Sequence, residues 1–205
     1  ALPDIIDTIK GGSTRFIMQV AGLLLDFQSS FIALFPLLET RTELEVRHLM
    51  VEYARLAPFK IFSPYLFTVF QDHSQHAELR MKAFSCLLDS YPFSINPAEY
   101  LADPNPAIAE KAYAALAERP GKANALILLQ HIQKSTNREL AERSLSEMVK
   151  KSNDVFLFLD GRMEQMTKPA ELKILYQALS ARLDYYFLNT QSIEAKRKAE
   201  DIITA

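Results

Sequence analysis

The sequence predicts an all-α fold, a right-handed α-solenoid of about five to six antiparallel helix pairs. Only five glycines occur in 205 residues, and no segment sustains the period-two alternation of a β-strand. Five amphipathic segments can also be laid on one another at a spacing of about 32 residues, the mark of an internal repeat.

In chain order, ALPDIIDTIKGG reads as a short helix stopped by Gly11 and Gly12. STRFIMQVAGLLL reads as a degenerate first copy. The five aligned helices are Glu43 to Pro58, Ala77 to Pro92, Pro106 to Pro120, Arg138 to Ser152 and Ala170 to Leu183. Their first core positions are Val46, Leu79, Ile108, Leu140 and Leu172, and a small or apolar residue follows most of them four and five positions on. Apolar residues on two flanks ask for two neighbours per helix, as in a stacked array.

Between these lie partner helices rich in Phe: LLLDFQSSFIALFPLLE, PFKIFSPYLFTVFQD, FSINPAEYLAD, NALILLQHIQK and NDVFLFLDGRMEQM. Pro36 and Pro64 fall inside two of them and are expected to kink them. The copies divide as 24–58, 59–92, 93–120, 121–152 and 153–184, all within a single domain covering 1–205. Residues 185–205 are expected to form a capping helix over the last exposed flank.

The patterns FPLLETRTELEVRHLMVEYA and LFTVFQDHSQHAELRMKAFSCLL join an apolar helix containing proline, a short polar turn and a helix opening on an anchor followed by arginine. They resemble HEAT-like repeats, and LADPNPAIAEKAYAAL is similar to the shorter type common in bacterial proteins. The resemblance runs from about Leu24 to Leu183 and implies a HEAT-like or ARM-like superhelix. It departs where Ala109 and Ala141 replace the arginine after the anchor, and an irregular helical bundle is the second choice.

Composition narrows the function. The formal charge is −2 with both signs interspersed, so no basic excess drives phosphate binding and no nucleic-acid partner is expected. Cys86, the only cysteine, sits among apolar residues and reads as a small buried hydrophobe. Polar residues interrupt Phe16 to Leu38 before a bilayer span is reached, and no transmembrane segment or signal peptide is read. The expected location is cytoplasmic. The start lacks an initiator methionine, which suggests a processed chain or a piece of a longer, even membrane-associated, protein.

Chemistry is sparse. Asp72, His73 and His76 are weak metal candidates because imidazoles three apart beside a carboxylate can converge on zinc, but they lie in a turn between helices. His48 and Glu52, four apart on one helical face, allow an acid/base pair or an ordinary surface pair. No catalytic residue and no cofactor is assigned, and the reading leans away from an enzyme.

Positions two and six after each anchor point away from the copy's own partner helix. They give a candidate partner-binding ridge of His48, Glu52, Met81, Ser85, Glu110, Ala114, Glu142 and Ser146, followed by Ile174 and Ala178. The resemblance implies that second helices line a concave surface, so a protein or peptide is the expected partner along that face. Glu52, Glu110, Glu118 and Glu142 suggest that its segment is basic or mixed in charge. The leading function is a non-catalytic protein-interaction or scaffold module. The alternatives are a HEAT-like-repeat enzyme of DNA glycosylase or lyase type, and a hydrophobic-ligand or membrane-surface module.

Overall fold

The computed structural model describes residues 11–24, 28–134, 137–163 and 169–190, and every α-helix or 3-10 turn there belongs to an all-helical architecture without strands among the described residues. Ten α-helices follow in order: α1 Thr14–Leu24, α2 Gln28–Leu38, α3 Leu44–Leu56, α4 Ser63–Gln71, α5 Ala77–Ser90, α6 Pro106–Ala117, α7 Lys122–Lys134, α8 Arg138–Lys151, α9 Asn153–Met163 and α10 Pro169–Thr190. Short 3-10 turns occupy Lys60–Phe62 and Pro97–Tyr100. The helix expected before Gly11 and the tail from residue 191 lie outside the described residues.

The chain divides into two compact units, Ala1–Ile95 and Asn96–Ala205. In the first, α1 packs on α2 and α3, α3 on α5, and α4 on α5. Aromatic residues fill it: Phe35 lies 4.7 Å from Phe62 and 5.6 Å from Tyr65, centroid to centroid, and Tyr53 meets Phe62 edge-on at 5.7 Å. In the second unit α8 packs on α6, α7 and α10, while α9 touches α7, α8 and α10.

Anchors Val46, Leu79 and Ile108 are fully buried, as their apolar flanks demand. Leu140 and Leu172 are only half-buried. The inward stripe of α10 is Ile174, Leu175, Ala178, Leu179 and Arg182, which matches Ile108, Ala109, Ala112, Tyr113 and Leu116 of α6 residue for residue. Helix α10 therefore takes its inward register from Ile174, two positions beyond the expected anchor, because burial follows the widest apolar stripe and Lys173 lies outside it. Ile174 and Ala178 accordingly belong to the core side of α10, not to its open ridge.

Proline placement departs from expectation at Pro64. Pro36 does lie inside α2, but Pro64 falls in the first turn of α4, where its missing N–H has no acceptor to lose and its fixed φ favours a helix start. FSINPAEYLAD forms only the turn Pro97–Tyr100 in place of a helix. Asn96 caps that turn by accepting from the Ala98 N–H at 3.2 Å. Asp103 then accepts from the Asn105 N–H at 2.8 Å to begin the next break. Asn105 in turn accepts from the Ala107 N–H at 3.0 Å, with Pro106 at the first position of α6. At the other end α10 runs unbroken to Thr190, so no separate helix begins at 185.

Buried arginines complete two helix ends. Arg80, 6% exposed, donates from Nε to the Phe70 carbonyl at 2.8 Å near the end of α4, and its guanidinium sits 5.8 Å from the centre of the Phe70 ring. Phe70 stacks in turn on Phe84 at 4.7 Å. Arg182, 5% exposed, donates to the Val149 carbonyl at 2.8 Å near the end of α8 and to Asn153 Oδ1 at the start of α9 at 3.2 Å. Both supply donors to carbonyls that the helix leaves unmatched. Replacing Arg80 with Met keeps the volume but strips the Phe70 carbonyl of its donor, and is expected to cost about 2 kcal/mol, read as a lower urea midpoint by circular dichroism. Arg55→Met, on an exposed site, should leave the midpoint within about 0.5 kcal/mol.

Candidate functional site

Clefts lie along the second helices of both units. In the first unit, Met18 of α1, Glu45, His48, Leu49 and Glu52 of α3, and Lys82 of α5 line an open cleft of about 430 Å³. In the second, Glu110 and Ala114 of α6 face Arg143 and Ser144 of α8 across a cleft of about 120 Å³. Glu139, Glu142, Arg143 and Ser146 of α8 face Ile174, Gln177 and Ala178 of α10 across one of about 240 Å³.

Of the ridge residues expected from the sequence, His48 and Glu52 come together in the first-unit cleft, Glu110 and Ala114 in the α6–α8 cleft, and Glu142 and Ser146 in the α8–α10 cleft. Met81 and Ser85 are half-exposed on α5, whose contribution to the first-unit cleft is Lys82, their neighbour in sequence. Sequence reasoning missed Lys82, Glu139 and Arg143. The α8 pair lies on the rim, one and three positions from the ridge rows, where polar residues carry no periodic signal.

The acidic tint of the ridge is neutralised within the chain. Glu52 accepts from Arg55 Nε at 3.1 and 3.2 Å, and Glu142 from Arg138 Nε at 2.7 Å. Glu118 pairs with Lys151, and Glu110 lies 3.9 Å from Arg143. The first three pairs are direct contacts. The last is loose, with its side chains 73% and 57% exposed and each able to reorient at little cost.

The first-unit cleft does not assemble an acid/base couple. The Glu52 carboxylate is held by Arg55, which lowers its pKa, while the His48 Nδ1 is buried without a hydrogen-bond partner among the described residues. Burial lowers the His48 pKa, with the Lys82 ammonium adding to the effect and Glu78 and Glu45 opposing it.

The metal candidates are employed locally. Asp72 accepts from the Ser74 N–H at 3.0 Å, from the Ser74 hydroxyl at 2.6 Å and from the Gln75 amide, and these bonds hold its pKa down at about 2. His76 is the N-cap of α5, its Nδ1 accepting from the Glu78 N–H at 3.4 Å. His73 is exposed. No group of three or more His, Cys, Asp or Glu is gathered for a metal among the described residues.

Two further groups are structural. Burial pushes the Cys86 thiol up to about 11, so it is a poor nucleophile. His131 of α7 lies with its Nδ1 3.0 Å from the Tyr113 hydroxyl of α6, ring edge to ring face.

No protein-family model, curated protein or solved structure matches the chain. No helix among the described residues is long and apolar enough to cross a membrane.

The depressed His48 pKa fixes a pH dependence. The unfolded chain binds the proton more tightly than the folded one, so this contribution is fully present above the ordinary value of 6.5 and is lost as pH falls from there through the lower value of the folded chain. The urea midpoint should drop between pH 7 and pH 5, and His48→Gln should flatten that slope. An equal slope in the variant would place the titration elsewhere.

Proposed function

We propose that the chain is a non-catalytic interaction module of HEAT-like repeats that docks a partner protein or peptide in the clefts between successive second helices. The observation that carries this reading is that ridge residues of one helix line a cleft against the next, with Ala114 and Ser146 each contributing to a cleft in the second unit. A small residue there leaves room for a partner's side chain, and repeat proteins commonly present surfaces of this kind. The clefts hold paired charges and the sequence has no Trp, which disfavours the basic, stacking groove of a DNA-processing enzyme.

Filling the clefts tests the proposal. Quantitative affinity capture with the full chain should enrich a partner that Ala114→Arg together with Ser146→Arg loses by about tenfold, through steric exclusion. Ala114 is exposed and Ser146 half-exposed, so the paired variant should keep the parent circular dichroism melt. A partner retained at full occupancy would move docking to another face.

A second reading, contact with a membrane surface or hydrophobic ligand, is favoured by a specific feature of the first unit. Leu56, Phe59 and Ile61 are 57, 37 and 49% exposed around Lys60, and Phe93 is fully exposed. The Tyr91 hydroxyl, 3.1 Å from the Ala54 carbonyl and 3.2 Å from that of Phe59, ties the two loops together. Apolar side chains beside a lysine suit an anionic bilayer interface. On this reading phosphatidylserine vesicles co-sediment the chain and Phe93→Ser together with Ile61→Ser releases it; absence of the parent from the pellet would exclude it.

A further inference from the structure

We infer that the α8–α10 cleft selects a partner segment carrying one acidic and one basic residue a helical turn apart, the acidic residue meeting Arg143 and the basic one meeting Glu139. This rests on the docking function proposed above and narrows the partner to a zwitterionic segment, where the sequence suggested a basic or mixed one.

Few charges of α8 remain to be matched by a partner. Along α8 the other ionic groups are engaged at hydrogen-bond distance within the chain: Arg138 with Glu142 at 2.7 Å and Lys150 with Glu147 at 2.8 Å. Lys151 contacts Glu118. A partner that recruits any of these must break an existing bond, so each is a weak source of selectivity.

Arg143 is different. It lies on the rim of both second-unit clefts, 73% exposed, with the Glu110 carboxylate 3.9 Å away and itself 57% exposed. A guanidinium so placed presents its planar donor fork to solvent and accepts a carboxylate in bidentate geometry.

Glu139 stands four positions before Arg143 on the same helix and lines the same α8–α10 cleft. It is exposed, and no cation is bonded to it among the described residues. Residues four apart on a helix share a face about 6 Å apart. The cleft is therefore flanked by one negative and one positive site at the spacing of one turn.

The cleft is also lined by Ser146, Ile174 and Ala178, small or apolar groups that take an uncharged side chain. A wholly basic segment would place a cation against Arg143, and a wholly acidic one a carboxylate against Glu139. Each like-charge contact is penalised, so the mixed segment is preferred by attraction at both positions and by repulsion of its competitors.

The test uses the full chain and a phage-displayed library of random 16-residue peptides. Selection on the parent should enrich peptides with an acidic and a basic residue three or four positions apart around an apolar one. The most enriched peptide, synthesised and measured by fluorescence anisotropy, should bind Arg143→Glu about tenfold more weakly. Affinity should return when the peptide's acidic residue is changed to Lys, and Glu139→Lys should show the mirror-image rescue.

Enriched peptides that lack the charge pair, or that bind Arg143→Glu and Glu139→Lys as well as the parent, would overturn the inference while leaving peptide docking intact. Failure of the parent to enrich any peptide above an unrelated helical control would overturn the docking function itself. Circular dichroism of both variants, each altered at an exposed position, confirms that a loss of affinity is not a loss of fold.

Discussion

An α-helix that buries residues at positions 0, 1, 4, 5 and 8 has an inward arc of about 140°, since each residue turns 100°. The usual apolar stripe of a surface helix is nearer 100°. Helix α6 buries Ile108, Ala109, Ala112, Tyr113 and Leu116, and α10 buries Ile174, Leu175, Ala178, Leu179 and Arg182, in this same wide pattern. One neighbouring helix leaves part of such an arc in water. Two neighbours cover it, and in the second unit α8 does pack on α6 and α10 as well as on α7. The alternation of small and large residues follows, because Ala109 and Ala112 admit a close neighbour while Tyr113 fills the space beside it.

Packing of this kind brings residues more than 30 positions apart in sequence into contact. Arg182 reaches Val149 and Lys151 reaches Glu118, each across 33 positions. Tyr91 reaches Phe59 across 32 and Ala54 across 37. Each of these links ties two segments far apart in sequence, and two of them deliver a donor to a carbonyl close to a helix end. The arginines serve well there because a long, planar donor can pass over an aromatic ring, as Arg80 does over Phe70 and Arg182 over Phe156, and still reach the backbone. Packing and end-satisfaction thus come from the same side chains.

This explains which features were legible in the sequence. Val46, Leu79 and Ile108 stood out because each begins a wide apolar arc, and their burial is complete. The register of α10 is masked in the sequence because Leu172 with Lys173 imitates Val46 with Arg47 and Leu79 with Arg80, whereas the wide arc begins at Ile174. Pro64 was misplaced because periodicity cannot tell a helix interior from a helix start when a 3-10 turn precedes it. At the clefts, the rows holding Glu110, Ala114, Glu142 and Ser146 were readable from helical geometry. Their electrostatics were not, since the cations beside Glu110 and Glu118 come from α8, more than 30 residues on, and a local reading sees only the acids.

The same pairings bear on what the clefts can do. Acid/base chemistry needs neighbouring titratable groups poised near the working pH and aimed at one another. In the first-unit cleft the group that burial holds neutral, His48, has its neighbour Glu52 turned to Arg55. In the second unit the carboxylates of Glu142 and Glu147 are each bonded to a cation of the same helix. Charges bound in this way lend little affinity to a partner, because docking must replace one good contact with another. On the docking function proposed above, affinity would come from apolar contact with the cleft walls, and discrimination from the few charges at the rim that the fold leaves weakly engaged. A partner docked as proposed above would therefore be told from its competitors by the handful of residues that packing within the chain does not use.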